Sequence, residues 1–468
     1  MKKRLILFLL ALQCAGAVYG QGVVTKQYED GGIYKGSFFD GQQHGEGTYS
    51  LPNGYEYTGN WEKGKIIGYG RAKFPDGVIY EGNFLNGEPS GTGKVYYTDG
   101  STYEGTWTDG KIDGIGVLVK LSGESYKGEF KNGKFHGLGT LSRPDGFIYD
   151  GGWIDNFSNG LAKVTYPNGM IYEGYIVKNK RQGKGTLKDP NGTTFEGNWE
   201  KDQMNGYGKL IQPNGDVYEG NFLNDQRQGQ GVVTLANGDV YTGNFEKDRM
   251  HGQGKLTSND GFIYEGSWIE GKMQGDGEAS YTNGSTYKGK FTDGQPNGKG
   301  KLVSIDGTSY EGDFVDGAPS GSGVATYAGG ARFEGDFQNA VIDGFGVMTW
   351  SDGYIYEGDW KEGIRQGKGK FTFPDGTIYE GDFFDNKRHG TGKVTDENFS
   401  YDGNWDAGEI TGFGIMTYSN GDVYEGQFVK GKRQGEGTIK FASGAETTGE
   451  WQNGALIASE SDGVVNED

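Results

Sequence analysis

The sequence repeats itself every 23 residues, and this period limits the possible architectures more than any other feature. An aromatic residue followed two places later by glycine begins at Tyr34 and returns at Tyr57, Tyr80, Tyr103 and onward to Tyr379 without losing register. One step of 22 residues leads to Tyr401, 23 more to Tyr424, and a further 23 to Thr447, where the triplet reads Thr-Thr-Gly. That makes nineteen copies. Below, positions within a copy are counted from its aromatic residue, +0. Self-similarity at such a period signals a stacked array, in which each unit buries its apolar face only against its neighbours.

Each copy has two parts. In the first, glycine follows at +2 and Phe or Trp at +4, as in Tyr356-Gly358-Trp360; the departure is Ile176. Eight of the nine tryptophans occupy +4. In the second, glycines stand at +11 and +13, with an apolar residue usual at +15 and an aromatic frequent at +17, as in Gly367, Gly369, Phe371 and Phe373. Both parts alternate with period two, the mark of a strand with one apolar face. Turn signals such as Asn132-Gly133 and Asp375-Gly376 separate them. Two short strands and two turns fill 23 residues. A helix does not fit, because beyond the N-terminal segment no glycine-free stretch exceeds ten residues. Glycine makes up 91 of 468 residues. Since it alternates with large rings on one face, the expected arrangement lays a ring from one hairpin over the bare backbone of the next.

The run RQGKGKF at 365–371 has the look of a phosphate-cradling loop. It recurs as RQGKGT at 181–186, RQGQGV at 227–232 and RQGEGT at 433–438, so its glycines are the +11 and +13 glycines of the repeat. No helix follows to offer an N-terminus to a phosphate. The four histidines, His44, His136, His251 and His389, all fall at +10 and read as turn residues spread along the array, not as a catalytic cluster.

The pattern Tyr-Glu-Gly-x-Trp/Phe, then Gly-x-Gly, then Pro-Asp/Asn-Gly resembles the MORN (membrane occupation and recognition nexus) family, and YEGDWKEGIRQGKGKFTFPDG at 356–376 is close to an ideal copy. The resemblance covers about residues 22 to 454. It implies an all-β fold: an elongated, twisted, single-layer antiparallel sheet of tandem 23-residue β-hairpins, used as a scaffold or attachment surface. It also implies that some members bind a peptide or helix in a groove and that some dimerise, which leaves a homodimer open here. In plant phosphatidylinositol phosphate kinases such repeats precede a kinase domain. Here the repeats use up the chain. Some copies depart from the pattern. Ala162 replaces the +13 glycine, and Gly160-Leu161-Ala162 suggests a local distortion. The copy ending at Tyr401 is one residue short and reads DENFS in place of Pro-Asp-Gly.

Three segments are expected. Residues 1–20 read as a secretory signal peptide, with Lys2, Lys3 and Arg4 before an apolar run from Leu5 to Leu12, too short to span a bilayer. Cleavage after Ala17 and after Gly20 both fit. Cys14, the only cysteine, marks a lipoprotein alternative with Leu12 and Gln13 as a poor lead-in. Residues 21–457 form the array, opening on a second-strand half copy with Val24 in the place of a glycine. Residues 458–468 form an acidic tail, either plainly disordered or guarding an open sheet edge.

The net charge of −19 argues against nucleic acid, which needs a basic surface, and disfavours anionic lipid for the same reason. The reading is a non-enzymatic repeat protein, secreted or periplasmic and cell-surface, without cofactor or metal, that presents a scaffold or binding surface to a protein or peptide. A membrane-associated or lipid-binding module is the alternative, and an enzyme the least favoured. The candidate partner-binding residues are Glu311, Asp313, Glu334, Asp336, Glu357 and Asp359, at +1 and +3 of three successive copies. The strands between them carry Ser322, Val324 and Thr326, then Phe345, Val347 and Thr349, with no cation. A solvated acidic face, a site for a basic partner segment, and a Ca²⁺ site are the three readings of this ladder, with the basic partner ahead of the metal.

Overall fold

The computed structural model describes residues 22–459. The expected signal segment with Cys14, and most of the acidic tail, lie outside the described residues. Thirty-nine strands and no helix are present among the described residues. Contacts divide the chain into two units. One holds the residues up to Asn214 with Phe222–Asp225, and the other holds Gly215–Asn221 with the residues from Gln226 on. Within each, consecutive strands pair antiparallel, from Val24 to Ile211 in the one and from Gln226 to Ser459 in the other.

One copy shows how the residues build the hairpin. Strands β30 (Ile355–Lys361) and β31 (Ile364–Thr372) are joined by Glu362-Gly363, both left-handed with φ of 49° and 77°. This two-residue turn with positive φ twice matches the right-handed twist of the strands it joins. Tyr356 stands opposite Phe371, and Gly358 opposite Gly369. The next copy begins with β32 (Ile378–Phe384) after the turn Pro374-Asp375-Gly376. That turn is closed by Phe373 N–H to Thr377 O at 2.8 Å, with Asp375 Oδ1 accepting Thr377 N–H at 2.9 Å. Proline presets the turn backbone, and the aspartate imitates a peptide carbonyl. In the short copy, Asp396 Oδ1 accepts from both Asn398 and Phe399, and Tyr401 still faces Val394. The missing residue is taken from the turn, so no side chain changes face.

The core is one layer of rings on glycine. The ring of Tyr356 covers Gly369 so closely that an added Cβ would lie 2.5 Å from it, and a Cβ on Gly358 would meet Gly369 Cα at 2.5 Å. The ring therefore lies over its own hairpin, which corrects the expectation that it covers the next; cross-strand pairing of +2 with +13 puts both bare positions under +0. The neighbouring copy enters edge-on instead. Tyr356 meets Trp360 at 5.1 Å and Phe383 of the following copy at 5.0 Å, both nearly perpendicular. Edge-to-face contacts of this kind contribute about 0.5–1.5 kcal/mol each beyond area burial. The Tyr356 hydroxyl donates to Asp359 O at 3.0 Å, and Trp360 Nε1 donates to Gly346 O of the preceding copy at 3.3 Å.

Between Gly358 and Trp360 the register shifts: Gly358 faces Gly369, but Trp360 faces Arg365. Asp359 alone therefore spans Gln366, Gly367 and Lys368, and Gly367 is left-handed at φ 72°. The +11 glycine is a bulge residue, a position that requires its freedom. The same shift recurs in other copies, so the second strand is bent where the sequence pattern reads as regular. The histidines sit here, in strands beside the bulge and not in turns: His44 in β3 (Gln42–Ser50) and His389 in β33 (Lys387–Thr395).

Two measurements test this core. Gly369→Ala should destabilise its region by about 2–3 kcal/mol, the cost of overpacking a wedged ring. Ala340, left-handed at φ 65° where other copies carry Gly, Asn or Asp, should gain up to about 1 kcal/mol as Ala340→Gly. Opposite signs in chemical denaturation are the expected outcome; equal signs would reject the packing scheme. Burial also pushes the hydroxyls of Tyr80, Tyr103, Tyr172, Tyr241 and Tyr264 up to about 12. The unfolded chain, with tyrosines near 10, releases these protons first. Stability is then untouched by them below about pH 10 and falls as pH rises toward 12. The tyrosinate absorbance of the buried rings should appear together with loss of β-structure; the full tyrosinate absorbance of the chain near pH 10 in a still-folded protein would contradict this.

Candidate binding surface

The rings leave the opposite face of the sheet to positions +1, +3, +12 and +14. Before that face is considered, the recurring RQG run has its own explanation. Arg365 N–H donates to Asn386 Oδ1 at 2.9 Å, its guanidinium donates to Asn386 O at 2.9 Å, and Gln366 Oε1 accepts Asp385 N–H at 3.2 Å. Arg181, Arg227, Arg388 and Arg433 likewise reach the carbonyls of Asp202, Asp248, Gly408 and Gly454. The guanidiniums of Arg181 and Arg433 lie 4.0 Å from the rings of Trp199 and Trp451, in the next copy. Cation–π contact and paired hydrogen bonds make the run a clasp that fastens each hairpin turn to its neighbour.

The six candidate carboxylates do share one face, in three adjacent hairpins. Glu311 is ion-paired to Lys301 at 3.2 Å and Asp313 to Lys299 at 2.8 Å. Glu334 meets Arg332 at 2.6 Å. Asp336 accepts Ser322 Oγ at 3.0 Å, and Asp359 accepts Lys368 N–H at 3.0 Å. Glu357 makes no hydrogen bond or ion pair among the described residues, with Val347 and Lys370 opposite it in register. The ladder is thus less bare of cations than the strands between its members suggest. An antiparallel strand has two neighbours, and the strand before Glu311 supplies both lysines. The +3 carboxylates also cap the bulge: Asp313, Asp336 and Asp359 stand directly over Gly321, Gly344 and Gly367. Among the described residues no three His, Cys, Asp or Glu side chains converge as a metal site requires. The histidines remain apart. His251 is 3.3 Å from Glu246 and His389 is 3.3 Å from Asp406, while Nδ1 of His44 and of His136 is buried without a partner.

Sequence reasoning missed a second feature of this face. Large apolar side chains stand exposed at +12: Tyr69, Ile115, Leu138, Leu161, Tyr207, Phe345 and Phe413. Leu161 is in register with Tyr175, another exposed ring. Around them lies a groove of about 1000 Å³ between Leu161 and Lys209, floored by Gly174, Gly185, Gly197 and Gly208. A second groove, of about 770 Å³, is lined mainly by charged side chains, among them Glu357, Lys368, Lys370, Glu380, Lys393 and Asp402, with Phe345 at its margin. The signal was present in the column of +12 residues, which becomes visible only when copies are compared down one position.

The family profile for the MORN repeat matches eighteen consecutive stretches, from residues 34–54 to residues 424–446. The chain belongs to the MORN repeat family. The nineteenth MORN copy, at Thr447, is not among the matched stretches, yet it still forms a hairpin of β38 (Glu446–Gln452) and β39 (Ala455–Ser459). No curated protein matches the chain. Similar solved structures include the TCP domain of SAS-4 (dCPAP) in complex with a proline-rich motif of Ana2 (dSTIL) of Drosophila melanogaster. It is 15% identical, covers 51% of this chain and 99% of that one, and has a TM-score of 0.17. The TCP10 domain of Danio rerio CPAP with a STIL peptide is 13% identical, covers 58% and 98%, and has a TM-score of 0.14. Virginiamycin B lyase from Staphylococcus aureus is 8% identical, covers 67% and 94%, and has a TM-score of 0.11. At such scores the likeness says nothing about what this MORN array binds.

The capping role of Asp359 separates it from Glu357. Asp359→Ala should cost about 1 kcal/mol, the worth of one hydrogen bond to a strand amide, and should speed hydrogen exchange at Lys368. Asp359→Asn keeps an acceptor oxygen and should cost less, while Glu357→Gln should leave exchange unchanged. Equal exchange at Lys368 in all three variants would remove the cap.

Proposed function

We propose that this MORN array is a non-enzymatic binding scaffold that works outside the cytoplasm and takes a protein or peptide on the face opposite its rings. The observation that carries the reading is the division of labour between the two faces. The ring face is fully used in holding hairpins together, with Tyr34, Tyr57, Tyr103 and Tyr356 wholly buried. The other face keeps large apolar side chains in water at no evident benefit to the fold, and exposed apolar patches of this kind mark interaction sites. The basic and apolar start of the chain supports export. A net charge of −19 favours a polypeptide over an anionic membrane.

The test places a photo-crosslinking residue at Leu161 or at Phe345 on the open face, and at Lys131 near a hairpin turn as control, in the full chain exposed to its native extracellular or periplasmic fraction. Crosslinks to polypeptide at Leu161 or Phe345, above the control, are expected. Crosslinking confined to lipid, or no enrichment over Lys131, would overturn the reading.

A further inference from the structure

The copy between Tyr379 and Tyr401 is one residue short, and the ring face opens beside it. At +17 the copies on either side carry rings, Phe373 and Tyr418, but this one carries Asp396. Its Oδ1 is held in the turn by the Asn398 and Phe399 amides, at 2.6 and 2.8 Å. At +9 of the next copy, Ile410 stands where Arg365, Arg388 and Arg433 stand in theirs. The result is a groove of about 420 Å³ that runs from Phe373 and Phe399 at one end to Trp405 and Ile410 at the other. The side chains here still hold the hairpins together, but they leave the space above themselves unfilled.

The two ends of the groove carry opposite charge. At the Phe399 end the lining carboxylates are Asp375 and Asp396, and neither has an ion pair among the described residues. At the Trp405 end Arg388 and Lys430 line the groove against one acid, Glu409. The clasp of Arg388 differs from two of its counterparts. Arg181 and Arg227 end on carboxylates, Asp202 at 3.4 Å and Asp248 at 3.3 Å. Gly408 takes that place for Arg388, which donates to its carbonyl at 2.9 Å and lies 4.2 Å from the Trp405 ring. Arg388 has no carboxylate partner among the described residues, and burial lowers its pKa, the sign of a charge short of solvent. Lys430 is exposed and also unpaired among the described residues. A groove with unpaired acids at one end and unpaired cations at the other selects a ligand with an ammonium and a carboxylate at matching ends.

The distance between the ends sets the ligand's length. Phe399 and Trp405 are six residues apart on β34 (Phe399–Asp406), about 20 Å at the usual rise. An extended chain of five residues spans about 17 Å, and hydrogen bonds at its ends close the remainder. A dipeptide, at about 7 Å, engages one end only.

We propose that this groove binds a free oligopeptide of about five residues, apolar along the side that meets the rings, with its ammonium at Asp375 and Asp396 and its carboxylate at Arg388 and Lys430. The site lies on the ring face and does not depend on what the opposite face takes. Calorimetric titration of the full chain with Ala-Leu-Ala-Leu-Ala tests it. With both termini free the peptide should bind saturably. N-acetylation and C-amidation should each weaken it at least about tenfold, and the dipeptide Ala-Leu should bind at least about a hundredfold more weakly. Asp375→Asn keeps an acceptor for the Thr377 amide; it should weaken the free peptide several-fold and leave the acetylated one unchanged. Lys430→Asn puts in this turn the residue that Asn86 and Asn132 supply in theirs, and should weaken the free peptide while leaving the amide unchanged. Thr377→Tyr adds at +21 the ring that Tyr354 and Phe147 supply in other copies. It should fill the acidic end and abolish binding with thermal unfolding unchanged. Failure of the free pentapeptide to bind, indifference to capping of either terminus, or indifference to Thr377→Tyr would overturn the proposal. Equal or tighter binding of N-acetyl-Lys-Leu-Ala-Leu-Glu amide would assign the groove to an internal segment of a protein and overturn it as well.

Discussion

The structure depends on one contact, a tyrosine ring lying flat on two glycines that face each other across a hairpin. A single sheet has no second layer to bury its apolar face, so the ring must find cover within the sheet. Two bare α-carbons give it a floor, and the +4 rings of its own and the following copy close its sides. A +4 ring touches the +0 ring of its own copy and that of the copy before, as Trp360 touches Tyr356 and Phe333 and Phe383 touches Tyr379 and Tyr356, so burial in one copy is completed by the next. This makes stability a nearest-neighbour property and explains why a short hairpin, marginal alone, persists in an array.

The floor has a consequence for the rest of the copy. With +2 opposite +13 and +4 opposite +9, the second strand holds more residues than the first has places for. The excess is taken up by the bulge at the +11 glycine, and the +3 side chain caps it. The bulge also frees +9 and +10 to reach forward to the next turn. Arg365 and Gln366 are therefore joined to the glycine after them by geometry, not by phosphate chemistry, and the same holds at Arg181 and Arg433.

Period and ring spacing made the strands, both turns and the apolar face legible from sequence, because these depend on residues a fixed distance apart. The bulge was not legible. Gly367 and Gly369 look alike in the sequence, and only the register of β31 against β30 shows that one lies under a ring while the other bends the chain. The surroundings of Glu311 and Asp313 were misjudged for a related reason: Lys299 and Lys301 precede them by a whole turn in sequence, yet lie on the adjacent strand. The apolar column at +12 escaped because within one copy Leu138 or Tyr207 is merely an isolated apolar residue. Its meaning comes from the pairing of successive copies, which sets like positions side by side at two-strand intervals.

Because the rings secure the fold from one side, the residues at +1, +12 and +14 are released from that duty. They vary from copy to copy while +0, +2 and +13 scarcely change. Leu138 and Leu161 in one unit and Glu334 and Glu357 in the other are exposed on equivalent faces of near-identical hairpins. A substitution at these positions alters what the surface attracts without disturbing the ring-on-glycine floor beneath it. The apolar +12 side chains and the acidic ladder are then two chemistries written on one backbone. The +3 position is the exception, since Asp359 both faces solvent and caps the bulge. A partner that drew on Asp359 would compete with the Lys368 amide for the same oxygen, whereas one that drew on Glu357 would not. On physical grounds the +1 and +12 columns, and not +3, are where binding specificity can change at least cost to the fold.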